Sequence, residues 1–556
     1  MLTLLFLHVL ITFVCLAAGS LFYAFFHSGQ PSPQKPLLFY LISGLAVLTA
    51  IAQIGALFAP INVAFSYITI AAVVIVFLIT RRQKIEFRRI LEWVRSLSKF
   101  QWLCIGACWI MILLFNAGPI RMDDSESYHI QMVKWIQEYG TVPGIVNLHE
   151  RYGFNSSWFS SISLFLFSDK SPVSYTVLNG VLSLWFCTYI IIRITSAKMG
   201  GLNWIGWTII FLMAIYCWPM VRNNPATANY DFVTALAIFV LFIYSFNNKD
   251  IPYLEWLIWP AYLFTVRIIN YPFLLLSLFA LIKLIQQKEW SIVSKTILIA
   301  ASLIIPFIAR NIILSGYPFY PAPQFDFFNV DWKADSEMMV RLNEFIKYYN
   351  RVNVTYMEIE TTKNLAFPQW LGPWFKYVYS FDKPILISGL LGLLSASLLF
   401  RKIKPAHKFA FTAFLLVFAV QVISWFAIAP DPRFIYGVLL CGLYLILHLL
   451  SSREISFVKP AYASYTLIVI SVGLLVYSGN KFFRDRDFKN PIMAKALPVP
   501  PVDTISVDGI KMYIPQKILN NWNPRCYGTD LPCLYIRDPR LKARGSTIAE
   551  GFRLEK

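Results

Sequence analysis

Apolar runs of about 20 residues recur along the chain between short polar breaks, the length that carries a helix across a bilayer's hydrocarbon core. They fall at 3–25, 37–58, 60–80, 101–118, 173–195, 204–220, 231–246, 253–267, 271–286, 296–310, 384–400, 409–429, 434–450 and 461–479. About 14 such spans predict an all-α polytopic membrane protein, because backbone groups in lipid must be paired within their own segment. A transmembrane β-barrel would show short alternating segments instead. The polar breaks give the orientation. "TRRQKIEFRRILEWVRSLSK", residues 80–99, holds seven basic and two acidic residues, which places it in the cytoplasm. Alternation from there puts "SAKMGG", "NNKD", "QQKEWSIVSK", "RKIKPAHK" and "SSREISFVK" on the same side, each with at least one Lys or Arg. Both termini then lie outside.

This alternation divides the chain. Residues 1–100 form an N-terminal transmembrane extension with the basic loop. Residues 101–310 form a transmembrane module whose first external loop is 119–172. An external region follows at 311–383, further spans at 384–480, and a small external C-terminal domain at 481–556. Composition agrees: 57% of residues are hydrophobic and 14% charged, against about 25% charged in soluble domains. The net charge of +19 would suit nucleic acid, but the basic residues sit in short loops between apolar runs, so nucleic acid is excluded as a partner and membrane lipids are expected. The N-terminal "MLTLLFLHVLITFVCLAAG" lacks a basic flank and reads as a retained helix. No lipidation motif, internal repeat or low-complexity segment is evident.

The span interiors are nearly free of charge. The unusual ionisable residues stand where outer loops meet spans: Asp123, Asp124 and Glu126, Arg222 and Asp231, Arg267, Arg310, and Asp431 with Arg433. Arg222, Arg267 and Arg433 oppose the positive-inside bias. A cluster of Arg222, Arg267, Arg310 and Arg433 would bind an anion such as a phosphate, to which the guanidinium fork is matched. The competing reading is snorkelling to lipid headgroups, and for Arg433 simple pairing with Asp431.

"SESYHIQMVKWIQEYG", 125–140, predicts an amphipathic helix along the membrane interface, with Tyr128, Met132, Trp135, Ile136 and Tyr139 on one face and Gly140 just past its end. Asp124 or Ser125 is placed to cap it. The functional alternative makes Asp124 a general base at a cavity rim, with Tyr128 and His129 lining the same cavity. His149 and Arg151 in "NLHERYGF" are either acceptor contacts or part of an exposed turn. In "RNIILSGYPFYP", 310–321, Gly316 and the prolines predict a turn out of the membrane, with the tyrosines as interface anchors. Of eight cysteines, Cys526 and Cys533 lie outside and predict a disulfide; a redox or zinc site would need tighter spacing or more ligands. Asp123, Asp124 and Glu126 are also of the type that ligates hard metals, but the arginines make a divalent metal unnecessary, and no cofactor is expected. No Walker loop, dinucleotide glycine motif or HExxH is present.

"DSESYHIQMVKWIQEYGTVPGIVNLHERYGFNSSWF", "RNIILSGYPFYP", "VDWK" (330–333), "APDPRF" (429–434) and "CYGTDLPC" (526–533) together resemble a family of bacterial multi-pass proteins associated with surface polysaccharide loci. More distantly, an acidic residue in a long first external loop followed by an interfacial helix and many spans resembles the GT-C superfamily, membrane glycosyltransferases that use polyprenyl-phosphate sugars. In the GT-C pattern that loop follows the first span of the module. Here it follows the fourth, which makes the first three spans an addition. In the closer family the recurring carboxylate lies four residues before the Tyr-His pair, which is Asp124, with Glu126 as a second acidic position.

The resemblance implies an inverting glycosyltransferase at the outer face of the bacterial inner membrane. Asp124, with Asp123 and Glu126 nearby, would take the proton of an acceptor hydroxyl. The four arginines would stabilise the leaving lipid phosphate. Tyr128, His129, His149, Arg151 and Asp231 would contact substrate. The partners implied are a polyprenyl-phosphate sugar donor and a glycan or lipid-linked acceptor. Two alternatives compete: a polysaccharide polymerase or ligase using a polyprenyl-diphosphate oligosaccharide, and a lipid-linked glycan flippase.

Overall fold

A computed structural model describes the chain except residues 27–34, 81–82, 121, 168–174, 197–203, 249, 354–358, 401–402, 404, 452–460, 485–496, 517–524, 536 and 556. Parts of the expected basic loops at 80–99, 196–201, 247–250, 401–408 and 451–459 lie outside the described residues.

The protein is mostly helical. Its first half contains α1 (Leu2–Phe26), α2 (Leu37–Phe58), α3 (Val63–Ile79), α4 (Gln83–Arg95), α5 (Lys99–Asn116), α6 (Ile130–Glu138), α7 (Ser157–Leu164), α8 (Val177–Thr195), α9 (Trp204–Tyr216), α10 (Asp231–Asn247), α11 (Tyr253–Val266), α12 (Leu274–Gln286) and α13 (Trp290–Ser315). The second half adds α14 (Ser336–Val352), α15 (Ile359–Thr362), α16 (Phe367–Tyr377), α17 (Lys383–Leu394), α18 (Ala396–Phe400), α19 (Pro405–Ile428), α20 (Tyr436–Ser451) and α21 (Ala461–Arg484). Two small antiparallel hairpins close the chain: β1 (Val502–Val507) with β2 (Ile510–Pro515), and β3 (Leu541–Ala543) with β4 (Phe552–Leu554).

Among the described residues, eight helices are long and apolar enough to cross a membrane: Leu2–Phe26, Leu37–Phe58, Lys99–Asn116, Val177–Thr195, Ile268–Gln286, Trp290–Ser315, His407–Ile428 and Pro432–Leu450. Four shorter apolar helices, α3, α9, α10 and α17, occupy further expected spans. The shortening has local causes. The span expected at 384–400 breaks after α17, where the Ser395 hydroxyl donates to the Gly392 carbonyl (2.8 Å) and competes with the helix ladder. The span expected at 204–220 ends at Tyr216, ahead of Pro219, which cannot continue a helix.

Helix pairs meet through small residues. A Cβ on Gly44 would lie 1.8 Å from the Cys15 carbonyl oxygen, and one on Gly19 lies 1.9 Å from that of Tyr40, so α1 and α2 pack backbone to backbone. The same seam joins α17 to α20: a Cβ on Gly392 would lie 1.8 Å from the Gly442 oxygen, and one on Gly442 lies 2.0 Å from the Gly389 oxygen. In lipid, where apolar burial between helices brings little, such close approach is a main source of association.

Contacts sort the helix ends into two rims. At one, Lys35 meets Glu255, Lys295 meets the Phe25 carbonyl, Gln101 meets Thr195 and Phe246 meets His448. At the other, Asp124 meets Arg151 and Arg433, Asp231 meets Arg267, and Trp218 meets Asp382. The second rim gathers the segments expected outside.

Three local expectations are corrected. The 125–140 helix is not continuous: a wide turn, Ser125–His129, precedes α6, with the Ile130 amide donating to the Ser125 carbonyl. Nor does its aromatic face meet lipid. Ile130 through Gln137 are all buried, with Trp135 near Phe552 of the C-terminal segment. Tyr317 and Tyr320 are likewise buried, in a small core with Val146, Met339 and Leu342, rather than acting as interface anchors. Gly316 does end its helix in the left-handed conformation (φ 82°).

The α17–α20 seam has no room for a side chain, whereas nothing lies within 4 Å of a Cβ on Gly473 in α21. Gly442→Leu should therefore lower thermal stability in detergent by about 3 kcal/mol, and Gly473→Leu by little. Equal effects would contradict the seam.

Candidate functional site

The site forms where three loop segments converge on the second rim. The first follows α5. Ser127 donates to the Asp123 carbonyl (2.7 Å), and the Ser125 hydroxyl accepts from the Ala228 amide (3.0 Å). The Ser127 hydroxyl competes with the helix ladder for the Asp123 carbonyl, and the bond from Ala228 pins Ser125 to a distant segment; both act on the widened turn at Ser125–His129. Asp124 immediately precedes it in helical backbone conformation, and its side chain caps nothing. The capping role expected for Asp124 is thus corrected, since its carboxylate turns to two guanidiniums instead. Arg151 Nη1 donates to Oδ1 (3.1 Å) and Arg433 Nη1 to Oδ2 (2.9 Å).

The second segment joins α9 to α10 and is fixed from within the bundle. Asn179 of α8 donates to Asn224 Oδ1 (2.9 Å) and to the Asn229 carbonyl (2.6 Å). Asn229 in turn donates to Asp231 Oδ2 (2.9 Å) and accepts from the Asp231 amide (3.1 Å). Asp231 is 2% exposed and ion-paired with Arg267, at the end of α11. The Arg267 guanidinium lies 3.6 Å from the centre of the Phe434 ring. The third segment is the turn between α19 and α20. Asp431 accepts from the Arg433 amide (3.0 Å) and Arg433 Nε (2.9 Å). Trp425 and Trp374 hold this turn through the Asp431 and Pro430 carbonyls (2.7 Å each). Arg433 Nε also lies 4.0 Å from Asp231 Oδ2.

Asp124, Asp231 and Asp431 thus interleave with Arg151, Arg267 and Arg433, three charges of each sign. Burial favours the neutral acid at Asp124, but Arg433 and Arg151 outweigh it and hold the carboxyl well below the usual carboxylate range. Asp124 is ionised at neutral pH and, in this state, a weak base. Burial drives the neighbouring His129 imidazole down to about 3, against the pull of Asp124, so the ring is neutral. Its Nδ1 faces Ser125 Oγ at 3.3 Å, and its Nε2 has no hydrogen-bond partner among the described residues. Tyr128 is buried beneath Arg151, whose guanidinium lies 5.7 Å from the ring centre.

The other expected residues lie apart from this array. Asp123 and Glu126 both pair with Arg525 of the C-terminal segment, and the Tyr527 hydroxyl donates to Glu126 (3.1 Å). Cys526, next to Arg525, is disulfide-bonded to Cys533. Gln131 and Lys134 of α6 donate to the Thr529 carbonyl (2.9 and 2.8 Å), which seats this loop beside the turn that carries Asp124. His149 stacks on Tyr535 at 3.9 Å, and burial, then Arg151, holds its imidazole well below the usual value. Arg222 lies over Tyr477 of α21 (5.8 Å).

Arg310 is different again. It is 1% exposed, its Nε donates to Asn155 Oδ1 (3.4 Å), and its Nη1 and Nη2 have no hydrogen-bond partner among the described residues. Asn155 and Ser156 continue the segment that carries Arg151, and Ser156 donates to the Val266 carbonyl beside Arg267 (2.7 Å). One strand of chain, 151–156, therefore ties Arg310 to the array.

Sequence reasoning missed two groups. Arg525 sits in a polar segment where an arginine draws no notice; only its position beside Cys526 hinted at it. Asp382 precedes α17, accepts from the Tyr436 hydroxyl (2.7 Å) and the Trp218 amide (3.3 Å), and is pushed up to about 7 by burial.

Arg433 lowers the Asp124 pKa, so the stability from this pair is complete above the unfolded value of about 3.9 and is lost as pH falls through the folded value. Arg433→Met should destabilise the protein by about 2 kcal/mol at neutral pH, with allowance for partial exposure. The gap should narrow on acidification. Thermal unfolding in detergent across that range measures it, and a pH-independent gap would contradict the pairing.

No curated protein and no solved structure matches the chain. A family profile does match it, over residues 1–440, and by that match the chain belongs to DUF8201, a domain family of unknown function.

Proposed function

We propose that the protein is an inverting glycosyltransferase. It would move a sugar from a polyprenyl-phosphate donor to a surface glycan or lipid-linked acceptor, at the outer face of the bacterial inner membrane. The single observation that carries this reading is Arg310, a buried guanidinium whose terminal nitrogens have no hydrogen-bond partner among the described residues, tied through Asn155 to an otherwise balanced array of carboxylates and arginines. An uncompensated buried cation costs several kcal/mol, a cost an incoming anion would offset.

The charge arithmetic favours one donor class. Asp124, Asp231 and Asp431 balance Arg151, Arg267 and Arg433, which leaves Arg310 as a surplus of one. A sugar linked to a lipid through one phosphate is a phosphodiester with a single negative charge. A diphosphate would bring a second charge with no matching cation in the array.

The chemistry follows from the same groups. The acceptor oxygen attacks the anomeric carbon as the bond from that carbon to the phosphate oxygen breaks, and the electron pair leaves on the phosphate. Attack opposite the leaving group inverts the configuration. Arg310, joined by Arg433 or Arg151, would meet the charge that grows on the phosphate. Asp124 would take the acceptor's proton. A phosphate that draws Arg433 and Arg151 away from Asp124 also raises the carboxylate's basicity, so donor binding would strengthen the base. The outward placement of the site, argued from the basic loops, suits a lipid-anchored donor over a cytosolic nucleotide sugar.

Cells in which Asp124→Asn replaces the wild-type protein should lose the surface glycan by a factor of about 100 or more, with membrane levels of the protein unchanged. A wild-type glycan profile in that strain would overturn the assignment.

A further inference from the structure

The external region contains a helix whose apolar surface is only half used. On α16, "FPQWLGPWFKY", Trp370 and Trp374 face inward and pack against Phe426 of α19, the first tilted and the second edge-on, with ring centres 5.2 and 5.5 Å away. Phe367, Leu371 and Phe375 are spaced by four residues and so share one stripe beside that face. They are 53%, 36% and 41% exposed. Gln369 and Lys376 lie on the opposite arc, and the helix carries no acidic residue. Apolar and polar arcs thus divide α16 lengthwise, as in a helix lying in a membrane interface.

Its neighbours indicate what covers the stripe. α16 packs on the last turns of α19, one of the membrane-crossing candidates, where that helix leaves Ile423 and Ile428 68% and 48% exposed. The α16 stripe therefore adjoins the surface that α19 offers to hydrocarbon. Arg351 of α14 ties the two helices together: its guanidinium lies 4.5 Å from the Trp370 ring centre and donates to the Ala427 carbonyl (2.9 Å). The same helix reaches the functional site, because Trp374 donates to the Pro430 carbonyl beside Asp431. Tyr349 of α14 and Tyr379 just past α16 are both within electrostatic range of Arg433 and Asp431.

We propose that α16 lies in the outer leaflet's interface, with Phe367, Leu371 and Phe375 in lipid, and forms the side wall along which a lipid chain reaches Arg433. The anchoring rests on packing alone; the role as an entrance rests on the donor reading above. No protein segment among the described residues covers the stripe, and in this proposal the bilayer does.

Nitroxide labels on single cysteines at positions 371, 375 and 376, in protein reconstituted into phosphatidylglycerol–phosphatidylethanolamine vesicles, test the anchoring without any activity. Labels at 371 and 375 should collide with oxygen and be shielded from a water-soluble nickel chelate, and the label at 376 should show the reverse. Equal nickel access at all three positions, or shielding of 371 and 375 from both reagents, would overturn the anchoring. For the entrance, Leu371→Glu should weaken binding of long-chain polyprenyl phosphate about tenfold, the equivalent of one buried side chain. Binding of a two-isoprene phosphate should be unchanged. Equal effects on both lipids would overturn the entrance while leaving the anchored helix and the transferase reading intact.

Discussion

The fork of Arg433 is the contact on which the rim depends. One side chain reaches Asp124 from the first loop, Asp431 from its own turn and, at 4.0 Å, Asp231 at the head of α10. Away from bulk water each of these charges would be costly alone. Together with Arg151 and Arg267 they cancel, and that cancellation joins segments up to 309 residues apart in the chain. The array is thus both a structural clasp and a preorganised set of charges, the arrangement that electrostatic catalysis requires.

The bundle holds this clasp by two other means. A glycine seam brings α17 against α20, which fixes the turn that bears Arg433 relative to Asp382. A network of asparagines centred on Asn179 fixes the α9–α10 segment and so orients Asp231. These polar groups sit inside an apolar bundle and are tolerated because each finds a partner there. The C-terminal segment adds a third support. Arg525 engages Asp123 and Glu126, which leaves Asp124 as the carboxylate of the trio turned toward the arginine array.

Hydropathy makes the membrane helices legible, and charges set against that background single out Asp124, Asp231, Arg267, Arg310 and Arg433 from sequence alone. Their pairing was not legible, since nothing local in "MDDSES" or "APDPRF" reveals that Asp124 meets Arg433. Local spacing suggests a helix cap at Asp124, which is the wrong role, because Ser127 bonds back to the Asp123 carbonyl while a long-range bond from the Ala228 amide holds Ser125. The aromatic face of α6 looks like a membrane face for a similar reason: period alone cannot tell lipid from the C-terminal segment that covers it. Hydropathy alone overestimates the spans at 204–220 and 384–400, where Pro219 and Ser395 interrupt otherwise apolar sequence.

The central claim is that Arg310 stands as a surplus cation for one lipid phosphate. Equilibrium binding of polyprenyl phosphate to detergent-solubilised protein tests it most directly, with the matching polyprenol as the uncharged control. The account predicts that the wild-type protein binds the phosphate and not the alcohol, and that Arg310→Gln loses about tenfold or more in affinity for the phosphate. Unchanged affinity in Arg310→Gln, or equal binding of phosphate and alcohol, would contradict it.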